Sequence, residues 1–304
     1  MSGVTKVATI EGLLLIDKPS GMTSMEVDRQ VKRVLHADRV GHLGTLDPLA
    51  TGVLPVFVGR ATRLIPYLES GDKEYLTEIT FGMETDTWDV DGQITAQTPC
   101  TTAQADIEAL LPQFVGTLQQ VPPAVSAKRF QGKRFYELQR DGQEVPVKPV
   151  EITITSVQLV DFSAAESTKT KLHIHCSKGT YIRAIAHELG QKLGCGGTQS
   201  QLRRTRTGPF NIERCTPLEQ VLEKLEKGEL SQTLIPLPDI LSFPKVRFEE
   251  RVRPYLKDGR PLPVSLAASV RAYDPAQLVD EQGILCAVGR MLPGDRFQAE
   301  RVFI

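Results

Sequence analysis

The chain has 304 residues, 40% of them hydrophobic, and its 36 basic and 37 acidic side chains leave a net charge of −1. That is enough chain for one large core, or a large one and a small one. No run resembles a membrane span: the longest uncharged stretch, Ala109 to Ala127, carries three prolines and three glutamines. The five cysteines (Cys100, Cys176, Cys195, Cys215 and Cys286) contain no CxxC pair, which speaks against a disulfide framework or zinc knuckle and suits a reducing cytoplasm.

Near the N-terminus "GLLLI" is too short for a signal core and runs at once into Asp17 and Lys18. "TSMEVDRQVKRVLH" predicts a helix capped by Thr23, with Glu26 completing a capping box and Val27, Val31, Val34 and Leu35 on one apolar face. A glycine-rich loop follows, then a short buried strand in "LPVFVG" and a short helix or turn in "ATRLIPYL". "EYLTEITFG" alternates and predicts a strand with Tyr75, Thr77, Ile79 and Phe81 on one face. "TDTWDVDGQI" reads as an acidic turn entering another strand, "ADIEALLPQFVG" as helix and "EITITSVQLVDF" as strand. "KLHIHCSKGTYIRAIAHELGQKLG" reads as strand, turn and helix. Strands and helices intermix without regular βαβ spacing, so the expected class is α+β with a mixed sheet. The proline-rich "IPLPDILSFP" marks a boundary between a first domain, residues 1–239, and a small second one, residues 240–304, with strand signals in "GILCAVGRM" and "DRFQAERVFI".

Charge is unevenly spread. Eight acids face one lysine between Glu69 and Asp91, whereas six bases and three acids lie between Lys128 and Lys148, and four arginines and one acid between Gln201 and Arg214. A basic run alone is usually a solvated face, but two of them suit a polyanion. No Walker loop or GxGxxG loop is present. His173 and His175 share a strand face without an evident third metal ligand. The "TDTWDVDG" turn fails as a calcium loop, because its first and twelfth positions fall on Thr87 and Thr98.

The chemistry therefore converges on "GHLGTLDPLATGVLP", where Asp47 is the lone carboxylate among Gly41, Gly44 and Gly52. An Asp-Pro pair is ordinarily a turn device. Here Pro48 biases Asp47 towards extended backbone, and the glycines are expected to admit close approach of a bulky ligand. With no second acid in the loop, the usual two-carboxylate glycosidase arrangement is not evident.

This loop resembles the signature of the TruB-type tRNA pseudouridine-55 synthases. The likeness continues, in order, through "LLLIDKPSGMTS", "DKEYLTEITFG", "ETDTWDVDG", "VPPAVSAKRFQGKRFYELQRDG", "CSKGTYIRAIAHELGQKLGCGG" and "LRRTRTGPF", covering most of residues 10 to 215. "GILCAVGR" and the terminal "ERVFI" resemble a PUA domain, a small RNA-binding β-barrel.

The resemblance implies a uridine rearrangement within the T-arm of tRNA: the N-glycosidic bond breaks, the uracil turns, and a C–C bond forms, with no cofactor or metal. Asp47 would be the catalytic carboxylate, as nucleophile towards sugar or base or as base at the sugar. Tyr75 would stack on the flipped base and Arg183 would pair with Asp47. Tyr181 and Leu202 would line the uracil pocket, His42 and Lys18 would lie at the substrate, and Asp89 and Arg140 would support the charges. Base flipping fits, since the reacting carbon is inaccessible in a folded T-arm. The RNA-gripping insertion falls at about residues 122–150. There the chain departs from the family, with Val125 where a tyrosine is usual and Lys128 and Arg129 at places more often aliphatic and lysine. The same resemblance implies a cytoplasmic monomer with no obligate protein partner. Two other functions compete. A non-catalytic RNA-binding protein would need neither Asp47 nor Arg183. A nucleoside hydrolase would need a water-activating group, for which the acids between Glu84 and Asp91 are the candidates.

Overall fold

A computed structural model describes residues 10–69, 71–123, 129–130, 133–134, 148–164, 168–229, 233–264 and 270–304. Val125, Lys128 and Arg140 lie outside the described residues. Of the segment around them, the backbone of Arg129–Phe130 pairs antiparallel with Lys133–Arg134.

Among the described residues a ten-stranded mixed sheet spans Gly12 to Pro217. Its main path runs Thr216–Pro217, Gly12–Lys18, Thr51–Val58, Gly197–Thr207, Lys73–Phe81, Lys169–Cys176, Val150–Ser163 and Gly116–Gln120. The pairings are antiparallel except where Gly12–Lys18 meets Thr216–Pro217 and where Thr51–Val58 meets Gly197–Thr207. The two central strands at that last junction bring the aspartate loop and the arginine-rich segment side by side. The period-two reading of Lys73–Phe81 holds, with Tyr75, Thr77, Ile79 and Phe81 all buried.

Helix Ser24–Leu35 packs on this sheet through Val27, Val31 and Leu35, with Val34 half-buried beside them. Its capping box forms as expected: the Glu26 N–H donates to Thr23 Oγ1 at 3.1 Å, and the Thr23 N–H to Glu26 Oε2 at 2.7 Å. Helices Gln104–Leu110, Ile182–Lys192 and Leu218–Glu226 complete the layer. The expected helix after Ala105 is shorter than the pattern suggests. Pro112 turns its last part into a 3₁₀ segment, Leu111–Phe114, before the Gly116–Gln120 strand.

Beyond Leu241 a second, five-stranded sheet runs Lys245–Arg247, Pro275–Val279, Leu285–Leu292, Arg296–Val302 and Leu262–Pro263. It has a core of its own around Val246, Leu278 and Phe297. Its other side is continuous with the first sheet: Val279, Leu285, Val288 and Phe303 share one buried cluster with Leu13, Phe57, Ala61 and Leu64. Arg63 donates to the Val302 carbonyl at 2.6 Å and lies over the Phe303 ring, and Arg60 donates to the Phe303 carbonyl. Among the described residues no helix is long and apolar enough to cross a membrane.

Candidate active site

The loop carrying Asp47 is held from three sides. From the start of the first helix, Ser24 Oγ donates to the Leu46 carbonyl at 3.0 Å and accepts from the Leu46 N–H at 2.9 Å. Ser20 Oγ donates to the Leu49 carbonyl, and the Gly21 N–H to the Pro48 carbonyl. Lys18 is fully buried, and its ammonium donates to the carbonyls of Pro19, Met22 and Pro48 at 2.8, 2.5 and 3.2 Å. Those three bonds use all its protons. Burial pushes its pKa down to about 8, against the raising pull of Asp47.

Arg204 clamps the loop from the third side. It is fully buried and donates to the Val53 carbonyl at 2.9 and 2.7 Å and to the Gly44 carbonyl at 2.8 Å. This corrects the reading of the loop glycines. A Cβ on Gly52, whose φ is +101°, would stand 2.2 Å from the Arg204 carbonyl oxygen, and one on Gly44 would meet the Arg204 guanidinium at 3.2 Å. Gly52 and Gly44 make room for Arg204 of the neighbouring strand rather than for a ligand. Sequence reading missed Arg204, because one buried arginine among four in an arginine-rich run carries no local mark.

Asp47 itself is 43% exposed at its side chain, with Oδ2 at 3.3 Å from Arg183 Nη2. Arg183 lies on the first turn of helix Ile182–Lys192 and is buried. Its other terminal nitrogen, Nη1, donates to Asp89 Oδ2 at 2.9 Å. Asp89 is buried in turn, and its Oδ1 accepts from Thr87 Oγ1 at 2.6 Å and from the Asp91 N–H at 3.2 Å. One guanidinium thus bridges an exposed carboxylate and a buried one. The buried member is committed to the acidic turn, which Trp88, at φ +65°, fixes by stacking on His187 with ring centroids 4.5 Å apart.

A pocket of about 180 Å³ opens in front of Asp47, lined also by Tyr75, Tyr181, Arg183, Leu202 and Lys73. Tyr75 and Leu202 are buried in adjacent strands. Burial raises the Tyr75 pKa, and the Arg204 guanidinium against its hydroxyl works in the opposite direction. Tyr181 is fixed through its backbone: its N–H donates to Gln120 Oε1 at 2.8 Å, and its carbonyl accepts from Gln120 Nε2 at 3.0 Å. His42 does not line this pocket. Its Nδ1 lies 2.8 Å from Asp28 Oδ2 and its Nε2 3.1 Å from Thr45 Oγ1, so it braces the loop against the first helix. The strand histidines sit against acids, His173 by Glu74 at 3.4 Å and His175 by Asp72 at 3.5 Å. Among the described residues no group of three or more His, Cys, Asp or Glu side chains is arranged to hold a metal.

Chemically, this is a single accessible carboxylate with its direction set by an arginine, above an aromatic and apolar floor. Asp89 cannot act as a free second acid, since both its oxygens are taken. The arrangement suits attack or proton removal by one carboxylate on a flat, apolar-faced ligand.

Residues 32–182 match the model of the TruB family pseudouridylate synthase (N terminal domain), and residues 183–242 that of the tRNA pseudouridylate synthase B C-terminal domain. The chain is 42% identical over 272 residues to a tRNA pseudouridine synthase B of Syntrophomonas wolfei, covering 88% of this chain and 90% of the relative. It is 38% identical over 297 residues to that of Moorella thermoacetica, covering 94% and 96%. Among solved structures, a chain of a Cbf5-Nop10-Gar1 complex superposes with a TM-score of 0.69 at 25% identity, covering 96% of this chain and 85% of that one. A chain of an H/ACA RNP bound to a substrate RNA containing 2'-deoxyuridine shares the fold with the same TM-score at 23% identity.

Proposed function

Because the chain belongs to the TruB family of pseudouridylate synthases, we propose that it is the isomerase that converts uridine 55 in the T-arm of tRNA to pseudouridine. The observation that carries this reading is the Asp47–Arg183–Asp89 array at the mouth of a pocket floored by Tyr75 and Leu202. In this reading the target uridine is flipped out of the T-arm and its base stacks on Tyr75. Asp47 acts on the sugar or the base while Arg183 holds its direction. Tyr181 and Leu202 contact the uracil, and Asp89 fixes the guanidinium. Lys18 supports the site from beneath the loop, His42 sits towards the RNA next to the target, and Arg140 belongs to the gripping segment at about 122–150. A released uracil that stays in the pocket can be recaptured at C5, so one carboxylate suffices and neither cofactor nor metal enters the reaction.

Residues 240–304 act as a PUA-like RNA-binding unit, beside a catalytic unit of residues 1–239. The enzyme works in the cytoplasm as a monomer, without an obligate protein partner. The test is incubation with an unmodified tRNA transcript, reading pseudouridine at position 55. Asp47→Asn should abolish product while tRNA binding changes little, because binding rests on many phosphate contacts and the chemistry on one carboxylate. Free uracil in place of pseudouridine would instead support the hydrolase reading, and substantial turnover by Asp47→Asn would overturn the assignment of Asp47.

A further inference from the structure

Lys73 is the pocket residue whose charge the reading above leaves without a task. It starts the Lys73–Phe81 strand, opposite Cys176 on one neighbouring strand and Thr207 on the other, and it lines the same pocket as Asp47 and Tyr75. Among the described residues its ammonium makes no ion pair and no side-chain hydrogen bond, although it is only partly exposed. Arg204, fully buried, likewise has no carboxylate within ion-pair distance among the described residues. The two cations converge: a Cβ on Gly44 would meet Arg204 Nη1 at 3.2 Å and Lys73 Nζ at 3.5 Å. Arg183, by contrast, is matched by two carboxylates. Desolvation, with Arg204 adding to it, pushes the Lys73 pKa down to about 8. A partly dry ammonium beside a second cation is unfavourable unless an anion arrives.

We propose that Lys73 is a catalytic residue that donates a hydrogen bond to a carbonyl oxygen of the uracil while that base carries negative charge. The inference rests on the pseudouridine-forming reading of the pocket. When the N1–C1′ bond breaks, its electron pair goes to N1 and spreads over O2 and O4. If Asp47 instead adds first to C6, the displaced electrons reach O4. Either route puts charge on the oxygens that an ammonium next to Tyr75 can meet, and no proton needs to leave Lys73. Fixed donors aimed at developing charge in a water-poor site are typically worth about a hundredfold or more in rate.

The experiment uses the full chain in single turnover on T-arm RNA carrying either uridine or 5-fluorouridine at the target, reading consumption of the starting nucleoside. Fluorine at C5 withdraws electrons and stabilises the uracil anion without help. Lys73→Met should slow uridine consumption by about a hundredfold, and 5-fluorouridine consumption by about tenfold less than that. RNA affinity should hold within about twofold, and Lys73→Arg should keep more rate than Lys73→Met. The melting temperature of Lys73→Met should not fall, since the change removes a desolvated charge. Equal slowing on both substrates together with weaker RNA binding would make Lys73 a phosphate contact and overturn the proposal. A collapsed melting temperature in both variants would assign Lys73 to the fold and overturn it as well. Wild-type protein that forms no pseudouridine would instead overturn the functional reading beneath it.

Discussion

Replacing Arg183 with lysine keeps the charge and removes the fork. Arg183 reaches Asp89 with Nη1 at 2.9 Å and Asp47 with Nη2 at 3.3 Å. A lysine has one nitrogen on a flexible stem and cannot hold both carboxylates in a plane. The direct attraction between Arg183 and Asp47 is a small part of the loss. The Asp47 side chain is 43% exposed, and pairs so open to water are worth about 0–1 kcal/mol. The buried pair with Asp89 matters more for position, since it anchors the guanidinium before Asp47 meets it. An ammonium drawn to Asp89 would leave Asp47 free to swing towards solvent. Misplacement of a reacting group by about 1 Å can cost about a hundredfold. Arg183→Lys should therefore lower the single-turnover rate by about a hundredfold, while RNA affinity, measured by filter binding, changes by less than about threefold. Asp89→Asn should act in the same direction with a smaller factor, because Thr87 Oγ1 and the Asp91 N–H can still hold the amide in place. A near wild-type single-turnover rate for Arg183→Lys, or a loss confined to binding, would refute the array and leave Arg183 as an RNA contact.

Gly52→Ala tests the clamp behind the loop. A positive φ costs about 1–3 kcal/mol for a side-chain-bearing residue, and the new methyl would also strike the Arg204 backbone, so the urea midpoint should drop clearly. An unchanged midpoint would contradict the close packing. Removing residues 240–304 should weaken tRNA binding and leave some turnover, since Asp47, Tyr75 and Arg183 all precede the cut. It also uncovers Leu13, Phe57 and Leu64, so the fragment should melt at lower temperature. A folded fragment with no turnover would show that the chemistry needs the second sheet. Turnover in EDTA, with the tRNA folded in monovalent salt, should match turnover without it; a strict metal requirement would count against a one-carboxylate rearrangement.

Local patterns carried far in this chain. The capping box at Thr23, the buried stripe Val27–Val31–Leu35 and the alternation from Tyr75 to Phe81 all depend on neighbours a few residues apart, and all form. Family membership was legible because the motif series is ordered along the chain. The site's geometry was less so. Arg204 reaches the Val53 carbonyl across 151 positions, and neither residue type marks the partnership. Lys73 stood in sequence only as the one lysine among the acids from Glu69 to Asp91, since desolvation leaves no trace in sequence. The cysteines read as scattered, yet Cys100 and Cys195, 95 positions apart, bring their sulfur atoms within 2.8 Å. Gly44 and Gly52 of the aspartate loop were misread for the same reason: Arg204, which crowds both, lies on a strand some 150 residues later.

The cluster shared by the two sheets has a consequence during synthesis. Arg63 waits for a carbonyl 239 positions further on, and Phe57, Ala61 and Leu64 wait for Phe303 to cover them. Until the ribosome has made that stretch, the part of the Thr51–Val58 strand and of the 3₁₀ segment Gly59–Tyr67 that it covers stays open to solvent. Contacts this distant form slowly, and exposed apolar surface in an unfinished chain invites association. The nascent polypeptide is therefore the form in which a chaperone would meet this face, and a substitution at Phe303 should show first as a poor yield of soluble protein, before any defect in the purified enzyme.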